Sequence, residues 1–131
     1  MAKTQTQELS QAVELYLDLM YDCEVGKFDR AFSPSARLHG FRDGKMTCWA
    51  AAHYKEILAG RKSPQSLGSR REEQVLLLEM ASPTQALAKV RIRINDMVFV
   101  DYLSYHKIDG RWQGELAASA LIALARHGAL C

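Results

Sequence analysis

The apolar residues of this chain recur every three or four positions up to about residue 60, and every second position from Arg70 onward. A three-to-four period buries one stripe of a helix, and a period of two buries one face of a strand. The order is therefore helices first and strands after. Such a chain makes an α+β domain with N-terminal helices on a curved, mainly antiparallel sheet. Its 131 residues suit a single domain over 1–131, with loose ends at 1–6 and about 125–131.

Leu9, Val13, Tyr16, Leu17 and Met20 mark one face of a helix over 7–25, with Gly26 as its stop. A short helix follows over 27–32, limited by Pro34, which pushes Ser33 toward extended geometry. Residues 36–42 read as a first short strand, ended by an Asp43-Gly44 turn. Thr47 suits the N-cap of a third helix reaching Ala59, with Trp49, His53, Ile57 and Ala50 on its inner face. The stretch RKSPQSLGS over 61–69 carries no apolar period. It reads as a mobile flap beside a site or as a plain surface connection.

Three strands follow, over 73–81, 86–95 and 98–108, separated by Ser82-Pro83-Thr84 and Asn95-Asp96. Matching apolar to apolar residues favours a three-residue loop at 95–97. Ile94 then faces Val98, and Arg91 faces Asp101. That register gives the helices a wall of Val90, Ile92, Ile94, Val98, Val100, Tyr102 and Ser104. It leaves Lys89, Arg91, Arg93, Phe99, Asp101, Leu103 and Tyr105 outside. An outer face so apolar calls for a cover, and a second copy of the chain is the simplest one. After the Asp109-Gly110 turn, ELAASALIALARHG looks helical by local propensity, yet sheet pairing favours a strand over about 111–118.

Composition removes several functions. A net charge of +2 argues against nucleic acid or an anionic membrane as main partner. No apolar run approaches a membrane span, and the start MAKTQTQELS lacks signal-peptide character. Cys23, Cys48 and Cys131 are scattered, which points to reduced thiols in a cytoplasm. No metal-ligand spacing, phosphate loop or nucleophile motif occurs, so no metal or cofactor is expected.

Two stretches, YLDLMYDCEVGKFDRAFSPSARLHG and FVDYLSYHKIDGRW, carry a family likeness. In the first, Phe32, Pro34, Ala36, Leu38 and Gly40 follow the pattern F-x-P-x-A-x-L-x-G. The second is similar to a "DYLSLxKxDGxW" strand-turn-strand. Over about residues 8–116 the chain resembles the nuclear transport factor 2-like superfamily, including its bacterial SnoaL-like and lumazine-binding members. The resemblance implies a cone with a pocket between helices and sheet, commonly a homodimer through the outer sheet face. It also brings isomerases, cyclases, dehydratases and pure binding modules under one fold, so function rests on the site.

By that resemblance Tyr16 stands where ketosteroid isomerases keep their oxyanion-donating tyrosine. Gly40 replaces their base, and Ser104 falls near their second acidic donor. His53 and His39 are the candidate bases, since imidazole titrates near neutral pH. His106 and His127 are placed at the rim and tail, and Asp101 is read as structural. The leading expectation is a pocket for a small apolar or aromatic molecule, lined by Tyr16, Met20, His39, Trp49, His53, Tyr102 and Ser104. The alternative is an isomerase, cyclase or dehydratase with a histidine base and Tyr16 as oxyanion donor.

Overall fold

The computed structural model describes residues 4–42 and 44–124. Its order is α1 (Gln5–Asp22), a 3-10 turn (Val25–Lys27), α2 (Phe28–Ala31), β1 (Arg37–Arg42), β2 (Lys45–Ala50) and α3 (Ala51–Gly60). Then come β3 (Glu73–Ser82), β4 (Gln85–Ile94), β5 (Met97–Ile108) and β6 (Arg111–Leu124). The helices cover one face of a six-stranded sheet of order β2-β1-β6-β5-β4-β3. All neighbours are antiparallel except β1 with β6. The α+β reading is thus met.

Helix α1 begins at a capping box. The Thr4 hydroxyl accepts from the Gln7 amide, and the Gln7 side chain accepts from the Thr4 amide. It ends at Cys23, in left-handed geometry (φ 54°), before the glycine expected to stop it. Leu9, Val13, Tyr16, Leu17 and Met20 all turn inward as their spacing requires.

The third helix starts later than Thr47 suggests. The chain reverses at Gly44 (φ 75°), and 45–50 pair with β1 from Arg42↔Lys45 to Arg37↔Ala50. The Thr47 hydroxyl donates to the Gly40 carbonyl and caps nothing. Moving the start to Ala51 also rotates the helix, since each residue turns the face by about 100°. Ala51, Tyr54 and Leu58 face the core, and His53 faces out. Asp43 and the tail 125–131, with Arg126, His127, Gly128 and Cys131, lie outside the described residues.

The β4–β5 register differs from the expected one by one residue. The loop has two residues, Asn95 and Asp96, so Ile94 pairs with Met97, Arg91 with Val100 and Val90 with Asp101. Every β5 side chain therefore changes face. Phe99, Asp101, Leu103 and Tyr105 point to the helices, while Val100, Tyr102 and Ser104 point away. The observed register buries Leu103 and Tyr105 fully and Phe99 in part against the helices, while Val98 is buried all the same. The register's one local penalty, an inward aspartate, is met by a hydroxyl from α1 and eased by Ser119 on β6.

Strand β6 runs on to Leu124, beyond the expected 118. It is paired on both sides, to β5 as far as Met97↔Leu124 and to β1 at Leu38↔Leu116 and Phe41↔Ala120. Two ladders outweigh the helical propensity of its alanines and leucines.

Candidate functional site

The helices and the concave face of the sheet enclose a cavity of about 470 Å³. One row of inward residues crosses the whole sheet as Leu78, Ala88, Leu103, Leu116, Leu38 and Trp49. Leu116, Leu38 and Trp49 of that row border the hollow. Met20 closes it from α1, and Ile94, Met97 and Phe99 from the β4–β5 hairpin. An aromatic chain supports the helical side. Tyr16 meets Phe32 edge-on at 5.8 Å, and Tyr54 stacks on Trp49 at 5.6 Å with 18° between the planes.

The polar end of this wall is Tyr16 with Asp101. The Tyr16 hydroxyl donates to Asp101 Oδ2 at 2.6 Å, and both residues are buried. Burial pushes the Asp101 carboxyl above its usual range, opposed by Ser119 and Tyr16, which favour the charged form. Ser119 is its cross-strand neighbour, but no protein hydrogen bond of good geometry reaches Oδ1. Burial also pushes the Tyr16 phenol well up, and the negative charge of Asp101 adds to that. Tyr16 therefore keeps its proton at neutral pH and holds it toward the carboxylate.

Of the residues expected to line a pocket, Tyr16, Met20, His39 and Trp49 border this cavity. His53 does not, because α3 turns it to solvent, with its ring centre 6.4 Å from that of Trp49. Tyr102 and Ser104 do not, because the hairpin register puts them on the far face. His39 borders the hollow from β1. On β1 it alternates with Leu38 and Gly40 and pairs with Cys48, and Phe41, two residues on, borders the cavity with it. Gly40 faces the hollow with no side chain, and a Cβ there would lie 3.1 Å from Thr47 Oγ1.

Among the wall residues that the sequence does not point to, Asp101, Asn95 and Arg61 carry buried unpartnered polar atoms. Asp101, expected on the outer face opposite Arg91, stands inside against Tyr16 because the register differs by one residue. Asn95 was read only as a turn residue; it adopts left-handed geometry (φ 56°) and its Oδ1 is buried. Arg61 was counted with the loop after α3. That loop is fastened to the end of α1: the Gln65 amide donates to the Tyr21 carbonyl, and the Tyr21 hydroxyl to the Ser69 carbonyl. Its first residue, Arg61, reaches the cavity.

Among the described residues, no three of His, Cys, Asp and Glu come together as a metal site, and no helix is long and apolar enough to cross a membrane.

The sequence fits the model of the putative lumazine-binding family over residues 4–114. The chain belongs to that family. Solved structures labelled nuclear transport factor 2-like share the fold of this lumazine-binding-family chain. It is similar to a protein of unknown function from Methylobacillus flagellatus (TM-score 0.74, 16% identity, 94% of this chain and 96% of that one). It is also similar to one from Shewanella baltica (0.73, 18%, 95% and 100%). A ketosteroid isomerase-like protein from Erwinia carotovora atroseptica shares the fold as well (0.68, 8%, 93% and 99%). At such identities the likeness is one of fold. No curated protein matches the sequence.

Proposed function

We propose that this cavity binds a small, largely apolar or aromatic molecule, and that the domain acts as a binding module with no chemical step of its own. One observation carries the reading. Among the described residues, the buried side-chain polar atoms without a hydrogen-bond partner are Arg61 Nη1, Asn95 Oδ1, Asp101 Oδ1 and Trp112 Nε1. The first three belong to residues that border the cavity. Each such orphan costs about 1–3 kcal/mol, and a bound molecule offering one acceptor and two donors would relieve all three once these side chains turn their buried atoms to the hollow. Apolar walls with a few convergent polar groups are the usual make-up of a small-molecule site.

The enzyme alternative lacks its base. His53 is exposed, His39 borders the cavity with no hydrogen-bond partner to orient its ring among the described residues, and the Tyr16 proton already serves Asp101. The family's name supplies a first probe, lumazine, a planar bicycle with ring N–H groups and carbonyls. Calorimetric titration of the protein with lumazine is expected to show binding that Thr47→Phe, which fills the hollow from β2, weakens by about tenfold or more. Equal affinity in both proteins would remove the cavity from the account.

The outer sheet face supports a homodimer, although not through the residues first expected. Phe99, Leu103 and Tyr105 are inside. The outward rows are Leu77, Lys89, Tyr102 and Ala118, and beside them Gln74, Arg91, Val100 and Ala120. Leu77 is 40% exposed and Tyr102 37%. A Tyr102→Glu variant places a charge at the centre of that patch, away from the cavity. Light scattering at micromolar concentration is expected to give a dimer for the parent chain and a monomer for the variant, and a monomeric parent would end this proposal.

A further inference from the structure

Two arginines are partly buried among the described residues, Arg61 and Arg93. Arg93 has what a buried cation needs: Glu72 at 3.5 Å and the Asn95 carbonyl, to which it donates at 2.7 Å. Arg61 has no ion pair among the described residues. Its guanidinium carbon lies 5.9 Å from the centre of the Tyr54 ring, whose hydroxyl is within its reach. Its Nη1 is buried and finds no acceptor. Burying a guanidinium edge without an anion is unfavourable, so the site is incomplete as it stands. The other charged group at the polar end of the wall, Asp101, is occupied with Tyr16.

We propose that Arg61 receives the carboxylate of a ligand whose planar body lies against Trp49, Met20 and Phe99, so that the cavity selects cyclic or aromatic monocarboxylates over neutral aromatics. The inference rests on the pocket reading above and names its ligand class. A guanidinium is a rigid fork that matches a carboxylate with two parallel hydrogen bonds. Arg61 is the only Lys or Arg among the described lining residues, so a monoanion is matched and a doubly charged phosphate is not. Along the rest of the wall Met20, Leu38, Ile94, Met97, Phe99 and Leu116 offer apolar surface to a ring system. Asn95 and Asp101 leave acceptor oxygens for a ligand N–H or O–H at its other edges.

The test uses two probes of nearly one shape, 2-naphthoate and its neutral analogue 2-naphthamide, titrated calorimetrically into the full chain. The parent protein is expected to bind the carboxylate about tenfold or more tightly than the amide, the size of a charge-assisted bond. Arg61→Gln is expected to erase that preference by weakening the carboxylate about tenfold more than the amide. Arg61→Lys keeps the charge without the fork and is expected to keep part of the preference. Equal affinities in the parent, or a full preference surviving in Arg61→Gln, overturn the assignment. Should Arg61→Gln fail to fold, the Arg61→Lys arm decides, and an undiminished preference there overturns the fork. Amide binding that Thr47→Phe abolishes, with no carboxylate preference, overturns the role of Arg61 and leaves the cavity reading standing. No binding of either probe overturns both.

Discussion

Replacing Gly114 by valine is expected to cost about 3 kcal/mol, the upper end of what overpacking a filled core removes. Gly114 lies on β6 where the helical layer meets the sheet most closely. Its carbonyl accepts from the Ser33 amide at 3.1 Å, and it bridges to Phe32. A Cβ there would stand 3.0 Å from Tyr105 Cε1 and 3.2 Å from the Ala31 carbonyl oxygen. The tyrosine ring is buried and the carbonyl is backbone at the end of α2, so neither gives way easily. Valine adds two methyl groups to that clash. Urea denaturation checks the cost, with Gly114→Ala expected to fall between parent and valine variant. A loss under about 1 kcal/mol for valine would mean that the helices can lift from the sheet, contrary to the close packing of interiors.

The second large effect concerns Tyr16 and Asp101. Tyr16→Phe keeps the ring against Phe32 but takes the donor from a buried carboxyl, with an expected loss of about 2–3 kcal/mol at neutral pH. The pH dependence has a definite sign. Asp101 titrates above the ordinary carboxylate value of about 3.9, so between the two values the folded chain holds a proton that the unfolded chain has released. Its contribution to stability therefore falls as pH rises through that window and levels off above it. Asp101→Asn cannot titrate. Its stability minus that of the parent is expected to climb from about pH 4 upward and then flatten. In the Tyr16→Phe background the same Asn-minus-Asp difference is expected to keep climbing to higher pH, because the lost hydrogen bond favoured the charged form. Urea midpoints measured at steps of pH give both curves, and a difference flat from pH 4 to 8 would show that Asp101 titrates normally.

Asp101 and His53 show where sequence reasoning reached and where it stopped. Each lies in an element that was expected, and each was turned to the wrong side by a shift of phase. For Asp101 the shift was one residue of strand register. Matching neighbours across the hairpin argued against placing an aspartate inward, because the partner that makes it tolerable is Tyr16, 85 positions away in sequence. For His53 the shift came from reading Thr47 as a cap, when pairing with β1 claimed 45–50 as a strand. Arg61 had a weaker signal, a basic residue just past a helix end, and nothing local says that its side chain enters a hollow.

The change of period near Arg70 by itself determined the fold class, the inward face of α1 and the positions of Tyr16 and Met20. These depend on local spacing, and burial of apolar stripes enforces them wherever the partners lie. The tertiary structure alone decided which β5 face meets the helices, how far β6 runs, and which polar atoms meet at the cavity. Those outcomes depend on contacts between residues far apart in sequence, and a one-residue change of register costs little locally while reversing every side chain of the strand.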